Sequence, residues 1–146
     1  MIKAVHVLLL IALVLLGIVG NVSARETSNY VIVIEIRGSI DYGIVELVKE
    51  GIERAEAVNG ILVMILDTPG GLVDAAQDII SLIRTSEVPV IGYVYPPGKG
   101  AWSAGTFILL ATHIAAMAPG TVIGSMQPIL YNPMTGGYEF VNESKL

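Results

Sequence analysis

Apolar and polar residues follow two different periods along residues 30–125, and their succession predicts strands separated by helices. Short runs rich in β-branched and apolar residues predict strands at 30–36, 61–66, 89–95 and 114–117. Apolar positions at helical spacing predict helices at 41–57, 72–84 and 102–112. Beyond Gly120, the turn residues 132–137 lie between two apolar runs and predict a hairpin. The sequence therefore predicts strict alternation of strand and helix up to residue 117.

This order of elements predicts an α/β fold built on a parallel sheet. Strands that are joined through helices run parallel, because the helix returns the chain to the edge where the previous strand began. Ligands bind to such sheets at the carboxyl ends of the strands. Functional residues are therefore expected in the segments that follow the strands.

Ser103 lies where the third predicted strand gives way, after a glycine-rich turn, to a helix. A hydroxyl nucleophile at the start of a helix lies beside backbone N–H groups that have no acceptor within the helix. Serine is also a favoured N-cap residue. The position alone therefore fits helix capping as well as catalysis.

A second loop, Asp67-Thr68-Pro69-Gly70-Gly71, follows the predicted strand 61–66. Adjacent glycines let the backbone approach a ligand and leave its N–H groups unobstructed, as an oxyanion hole requires. Alone, this loop would be interpreted as an ordinary strand-to-helix turn. Together with Ser103 after the next strand, it favours a catalytic site.

A serine nucleophile needs a base, and the two histidines are poor candidates for it. His6 lies in an apolar amino-terminal segment, and His113 lies between a helix and a strand, where a structural role is expected. A lysine base must be uncharged, which requires burial among apolar groups to lower its pKa. Lys99 lies in an open glycine loop, and spacing alone does not favour Lys145 over a solvated lysine.

The first 24 residues have the pattern of a secretory signal peptide. A short basic start ending at Lys3 precedes an apolar run from Ala4 to Gly20, and Val22-Ser23-Ala24 offers a small-residue cleavage site. The run is also just long enough for an uncleaved membrane anchor. Both interpretations divide the chain into residues 1–24 and one domain, 25–146, on the extracytoplasmic side of a membrane.

Composition argues against several classes of protein. The 146 residues include no cysteine, which excludes disulfides, a thiol nucleophile and a thiolate metal site. Without residues 1–24 the chain loses Lys3, so its formal charge goes from −5 to −6, which argues against binding nucleic acid. The sequence has no cluster of metal ligands, and no metal or other cofactor is expected.

Four segments occur in one order: Asp67 to Gly71, Pro89 to Gly98, Ser103-Ala104-Gly105-Thr106, and Met117 to Gly124. Together they closely resemble the amino-terminal protease domain of NfeD-type membrane proteins, which are encoded beside stomatin-like proteins. The similarity runs from about Tyr30 to the last residue. It implies an α/β fold of the Clp/crotonase-like class, with repeated ββα and βα units around a parallel sheet.

The resemblance implies a serine endopeptidase with a Ser-Lys dyad. The family's nucleophile falls on Ser103 and its lysine on Lys145. The backbone N–H groups of Gly71 and Ala104 are then the expected oxyanion hole. Met126 stands where the wider Clp group carries a histidine, and its presence fits a lysine base.

The same resemblance implies the surroundings of the dyad and its partners. Gly70 and Trp102 are expected to contact substrate and Tyr95 to add an apolar wall, whereas Phe107 is expected to pack in the core. Hydrophobic segments of membrane-associated proteins, such as stomatin-like partners, are the implied substrates. Membrane association and a homo-oligomer, a dimer in the simplest case, are also expected.

Two alternatives stay open. A crotonase-type acyl-thioester enzyme uses similar oxyanion loops, but coenzyme A is cytoplasmic and a signal peptide argues against it. The other alternative is a fragment that acts in binding only. Relatives continue past the lysine, whereas Lys145 is one residue from the end of this sequence. A chain truncated at its carboxyl end is therefore expected, with weak or no activity.

Overall fold

The computed structural model describes residues 30–127 and 129–140. Its strands are β1 (Val31–Arg37), β2 (Ile61–Asp67), β3 (Val90–Val94), β4 (Gly100–Trp102), β5 (Ile114–Met117), β6 (Val122–Gly124), β7 (Ile129–Asn132) and β8 (Gly137–Phe140). Its helices are α1 (Tyr42–Ala57), α2 (Val73–Thr85) and α3 (Ala104–Ala111). Because β4 follows β3 with no helix between them, the strict alternation predicted up to residue 117 is wrong.

β1, β2, β3 and β5 form a parallel sheet in the order β1-β2-β3-β5, which confirms the predicted α/β class. The register pairs Ile34 with Met64, and Met64 with Gly92. Since the strands are parallel, their carboxyl ends lie at one edge of the sheet. The loops that follow β2 and β3 meet at that edge.

The core lies between one face of this sheet and the helices. Leu62, Met64 and Leu66 are fully buried, whereas the alternate residues of β2 are half-buried, because successive strand side chains point to opposite faces. Gly51 lets α1 approach closely, since an added Cβ would lie 3.1 Å from Leu62. On α2, the residues that enter the core are Ala75, Ala76, Ile79 and Ile83.

The ends of α1 and α3 show how the local sequence sets each helix. α1 is capped by Asp41, whose carboxylate accepts the N–H of Ile44 at 3.1 Å. The helix predicted from Trp102 begins only at Ala104, because Gly100–Trp102 forms β4. The predicted hairpin is confirmed by the antiparallel pair β7 and β8.

β4 and β6 form a second, two-stranded parallel sheet beside the end of β2. The Thr68 N–H donates to the Gly100 carbonyl at 2.9 Å, and the Trp102 N–H donates to the Thr68 carbonyl at 2.9 Å. These bonds bring the loop after β2 against the start of α3. The residues expected to form the site therefore meet at this junction.

Two predictions fall on residues outside the described ranges. They are the signal peptide or anchor at 1–24 and the base Lys145. Within residues 30–127 and 129–140, none of the helices has both the length and the apolar character that spanning a membrane requires.

Candidate active site

Ser103 lies between β4 and α3 in a backbone conformation that serine rarely adopts. Its φ is 50° and its ψ is −117°. Such a conformation costs about 1–3 kcal/mol and is found where surrounding structure holds it. Its side chain makes no capping hydrogen bond with α3. Ser103 thus occupies the N-cap position of α3 without supplying the side-chain hydrogen bond of a capping serine.

Hydrogen bonds to β4 and β6 hold Ser103 in this conformation. The Ser103 N–H donates to the Gly124 carbonyl at 2.7 Å. Thr106, which is buried, donates its hydroxyl to the Ala101 carbonyl at 2.7 Å and accepts the Gly124 N–H at 2.9 Å. The first turn of α3 is therefore fixed to both short strands.

The loop after β2 passes directly beside Ser103. At Gly70, where φ is 104°, an added Cβ would lie 2.8 Å from the Ser103 Cβ. The Gly70 N–H donates to the hydroxyl of the buried Thr68 at 3.0 Å, and the Gly70 carbonyl accepts the Ile40 N–H at 2.8 Å. Both backbone groups of Gly70 are thus engaged within the protein. What Gly70 supplies to the site is space for Ser103.

Ser103 borders a cavity of about 240 Å³ with mainly apolar walls. The lining residues are Gly71, Val73, Ala76, Gln77, Ile80, Ser103, Ala104, Phe107 and Met126. The expected core position of Phe107 is wrong, because the residue is 40% exposed and lines this cavity. On α3 the neighbouring Ile108 and Leu109 face the core, which turns Phe107 towards the cavity.

The expected oxyanion donors, Gly71 and Ala104, both line the cavity that Ser103 borders. In the bridge between Ile40 and Gly71, the Ile40 N–H donates to the Gly70 carbonyl at 2.8 Å, and the Leu72 N–H donates to the Ile40 carbonyl at 2.9 Å. The Gly71 N–H takes no part in this pairing. Ala104 is the first residue of α3, so its N–H has no acceptor within the helix. Secondary structure therefore leaves both N–H groups uncommitted.

Trp102 and Tyr95, the expected apolar contacts, do not line this cavity. The Trp102 indole lies over Gly100, where an added Cβ would be 2.7 Å from the Trp102 Nε1. Tyr95 stacks on Tyr93 with 5.5 Å between ring centroids. Both rings are partly exposed near the site, and contact of Trp102 with substrate stays a prediction.

The candidate bases lie in different places. The Lys99 Nζ is 3.8 Å from the Asp67 Oδ2, and the Lys99 side chain is 56% exposed. The His113 Nδ1 accepts the Val90 N–H at 3.0 Å at the amino end of β3, so its expected structural role is confirmed. Over the described part of the chain, no group of three or more acidic or histidine side chains is arranged to hold a metal ion.

Sequence reasoning missed the wall that α2 contributes to the cavity. Its members, Val73, Ala76, Gln77 and Ile80, recur at the i, i+3, i+4, i+7 spacing of one helical face. They run beside the core residues Ala75, Ile79 and Ile83. The signal in the sequence was that the apolar face of α2 is wider than contact with the core alone requires.

The conformation of Ser103 leads to a prediction about stability. We expect Ser103→Gly to have a free energy of unfolding about 1 kcal/mol higher than that of Ser103→Ala. Both variants lose the hydroxyl, but only glycine relieves a backbone strain of about 1–3 kcal/mol, less its own entropic cost of about 0.5–1 kcal/mol. Urea unfolding measures the difference. Equal stability of the two variants would contradict a strained Ser103.

Comparison with known families and proteins gives a consistent result. Residues 30–136 match the family model described as NfeD1b, N-terminal domain. The membrane-bound protease PH1510 of Pyrococcus horikoshii is 44% identical over 124 residues, covering 84% of this chain and 27% of that protein. The membrane protein NfeD1b of Bacillus subtilis is 35% identical over 112 residues, covering 76% of this chain and 24% of that protein. The chain thus spans about a quarter of the length of these relatives.

Solved structures agree with the fold. A serine-to-alanine mutant of the 1510-N membrane-bound stomatin-specific protease matches with a TM-score of 0.75 at 41% identity, covering 82% of this chain and 58% of that chain. A lysine-to-alanine mutant of this protease, in complex with a substrate peptide, matches with a TM-score of 0.74 at 42% identity. The match covers 82% of this chain and 55% of that chain. ClpP1 of Listeria monocytogenes matches at 0.60 with 22% identity over 71% of this chain and 60% of that chain, which shows a Clp-like fold.

Proposed function

The chain belongs to the family of NfeD1b N-terminal domains, and from this premise we propose that it is the serine endopeptidase domain of a membrane-associated protease. Ser103 is the nucleophile and Lys145 the general base. One observation carries the proposal. The strained Ser103, free of any capping bond, borders a cavity that Gly71 and Ala104 also line.

Peptide hydrolysis follows from these groups by acyl transfer. The Ser103 Oγ attacks the carbonyl carbon while the uncharged amine of Lys145 takes its proton. The N–H groups of Gly71 and Ala104 stabilise the resulting oxyanion, and such a donor is typically worth about 3 kcal/mol. As the C–N bond breaks, the lysine ammonium returns the proton to the leaving amine. Water then hydrolyses the acyl-serine ester by the same steps.

Solved relatives support the choice of a serine and a lysine. The two structures matched at 41% and 42% identity are alanine mutants of a serine and of a lysine in a protease whose name calls it stomatin-specific. We propose the corresponding substrate class here, hydrophobic segments of stomatin-like membrane proteins. Action on the extracytoplasmic face of a membrane, and assembly into a homo-oligomer, complete the proposal.

Covalent labelling tests the nucleophile. The protein expressed from its natural gene is treated with a fluorophosphonate, and the modified residue is identified by peptide mass mapping. We expect a single modified residue, Ser103, in the wild type and in Ser81→Ala, since Ser81 is exposed on α2 and does not line the cavity. Ser103→Ala is expected to take up no label. Labelling of folded Ser103→Ala, or none in the folded wild type, would refute the proposal.

A further inference from the structure

The cavity beside Ser103 has the size and the lining of a side-chain pocket. Its volume of about 240 Å³ exceeds the roughly 150 Å³ of an apolar protein cavity that takes up benzene. Among the described residues that line it, none is charged, and Gln77 and Ser103 have the polar side chains. A charged group would lose its hydration there without gaining an ionic partner. The physical fit is to an uncharged, apolar side chain.

α2 provides one wall, and Ala76 has the smallest side chain in it. Val73 is 55% exposed and lies at the rim, whereas Ala76 is only 5% exposed and lies at the buried side of the wall. The backbone of Ala76 is held by the helix and by its buried neighbours Ala75 and Ile79. Ala76 belongs both to the core and to the lining of the cavity. Because protein cores are close-packed, the cavity is the free space available to atoms added beyond the Ala76 Cβ.

α3 provides another wall through the ring of Phe107. Phe107 is 40% exposed, so it is accessible to a ligand that enters the cavity. Leu110, one turn along the same helix, is 58% exposed but does not line the cavity. The two residues therefore make a matched pair for testing which exposed side chain of α3 contacts a ligand.

From these contacts we propose that the cavity binds one large apolar side chain of a peptide, up to the size of phenylalanine, and that Ala76 limits that size. The cavity adjoins Ser103, so the bound side chain belongs to a residue next to the bond attacked. The choice of a peptide as ligand rests on the proposed function. The size limit rests on the cavity itself and has a readout that needs no catalysis.

Peptide binding to Ser103→Ala measures the size limit without hydrolysis. Fluorescent peptides with one variable residue in an alanine–glycine host carry alanine, leucine, phenylalanine or lysine at that position. We expect the leucine and phenylalanine peptides to bind at least about 10-fold more tightly than the alanine and lysine peptides. Adding Ala76→Leu to Ser103→Ala should bring this ratio below about 2-fold, with the affinity of the alanine peptide unchanged.

Variants of α3 supply the control and a second test. Leu110→Ala should leave the ratio of peptide affinities unchanged, whereas Phe107→Ala should lower that ratio because it removes one wall of the cavity. The Phe107→Ala result tests the proposal even if Ala76→Leu does not fold. Equal binding of the four peptides, or equal loss for all of them in Ala76→Leu, would overturn the proposal.

Fluorophosphonate labelling distinguishes the pocket proposal from the protease proposal. A size preference without labelling overturns the protease proposal alone. Labelling without a size preference overturns the pocket alone.

Discussion

Replacing Lys145 with alanine is expected to lower kcat for peptide hydrolysis by about 10²- to 10⁴-fold, the usual contribution of a general base. Without the amine, the Ser103 hydroxyl must transfer its proton to water as it attacks. Lys145→Arg is expected to be as inactive as the alanine variant, because a guanidinium stays charged and cannot accept a proton. Hydrolysis of a fluorogenic peptide with an apolar residue before the cleaved bond measures kcat in the protein expressed from its natural gene.

Lys99→Ala is the matched control for this prediction. Lys99 is the lysine nearest to Ser103 in sequence, and its amine lies 3.8 Å from the Asp67 carboxylate with the side chain 56% exposed. Lys99 does not line the cavity beside Ser103, so we expect kcat of Lys99→Ala to stay within about 2-fold of the wild type. A loss in Lys99→Ala equal to that in Lys145→Ala, or activity retained in Lys145→Arg, would exclude Lys145 as the base.

The part of the fold that repeats a clear period could be predicted from the sequence. The continuous apolar run 61–66 predicted a buried strand, and β2 has a neighbour on each side in a parallel sheet. The helix predicted at 41–57 has its N-cap at Asp41 and ends at Ala57. In both cases a local pattern of several residues carries the information, because burial on one face repeats along the element.

The short strands β4 and β6 have no repeated pattern of apolar residues from which they could be predicted. β4 and β6 each have three residues, fewer than a periodicity needs, and they pair across a gap that includes α3 and β5. Gly100 belongs to the glycine-rich turn that was predicted before Ser103, and no strand was predicted at 122–124. Their pairing depends on contacts distant in sequence, such as the bond from Ser103 to Gly124, which no local reasoning supplies.

The candidate site, like the fold, could be predicted only in part from the sequence. A serine between a strand and a helix could be identified from sequence, but its positive φ and the absence of a capping bond could not. Phe107 was expected in the core because aromatic residues in an apolar helix usually pack there. Only the orientation of α3, with Ile108 and Leu109 inward, directs Phe107 to the cavity.

Gly71 combines an expected catalytic role with a structural one that only the structure reveals. The loop after β2 crosses the backbone of Ile40, which is fully buried. The Ile40 N–H donates to the Gly70 carbonyl at 2.8 Å, and the Ile40 carbonyl accepts the Leu72 N–H at 2.9 Å. This close crossing fixes the loop that carries the Gly71 N–H to the cavity.

Gly71→Ala is therefore expected to destabilise the protein by at least about 3 kcal/mol, since its Cβ would overlap the Ile40 carbonyl oxygen and lie 2.5 Å from the Ile40 nitrogen. Backbone atoms cannot rotate away, so both hydrogen bonds of Ile40 must break, at about 1–3 kcal/mol each. Gly137→Ala is the control, because the nearest atom to its Cβ, the Thr135 hydroxyl, is 3.8 Å away. Its free energy of unfolding in urea should stay within about 0.5 kcal/mol of the wild type. An unfolding midpoint of Gly71→Ala equal to that of Gly137→Ala would show that the loop can leave Ile40 without cost, and the crossing would then not be what holds Gly71 beside Ser103.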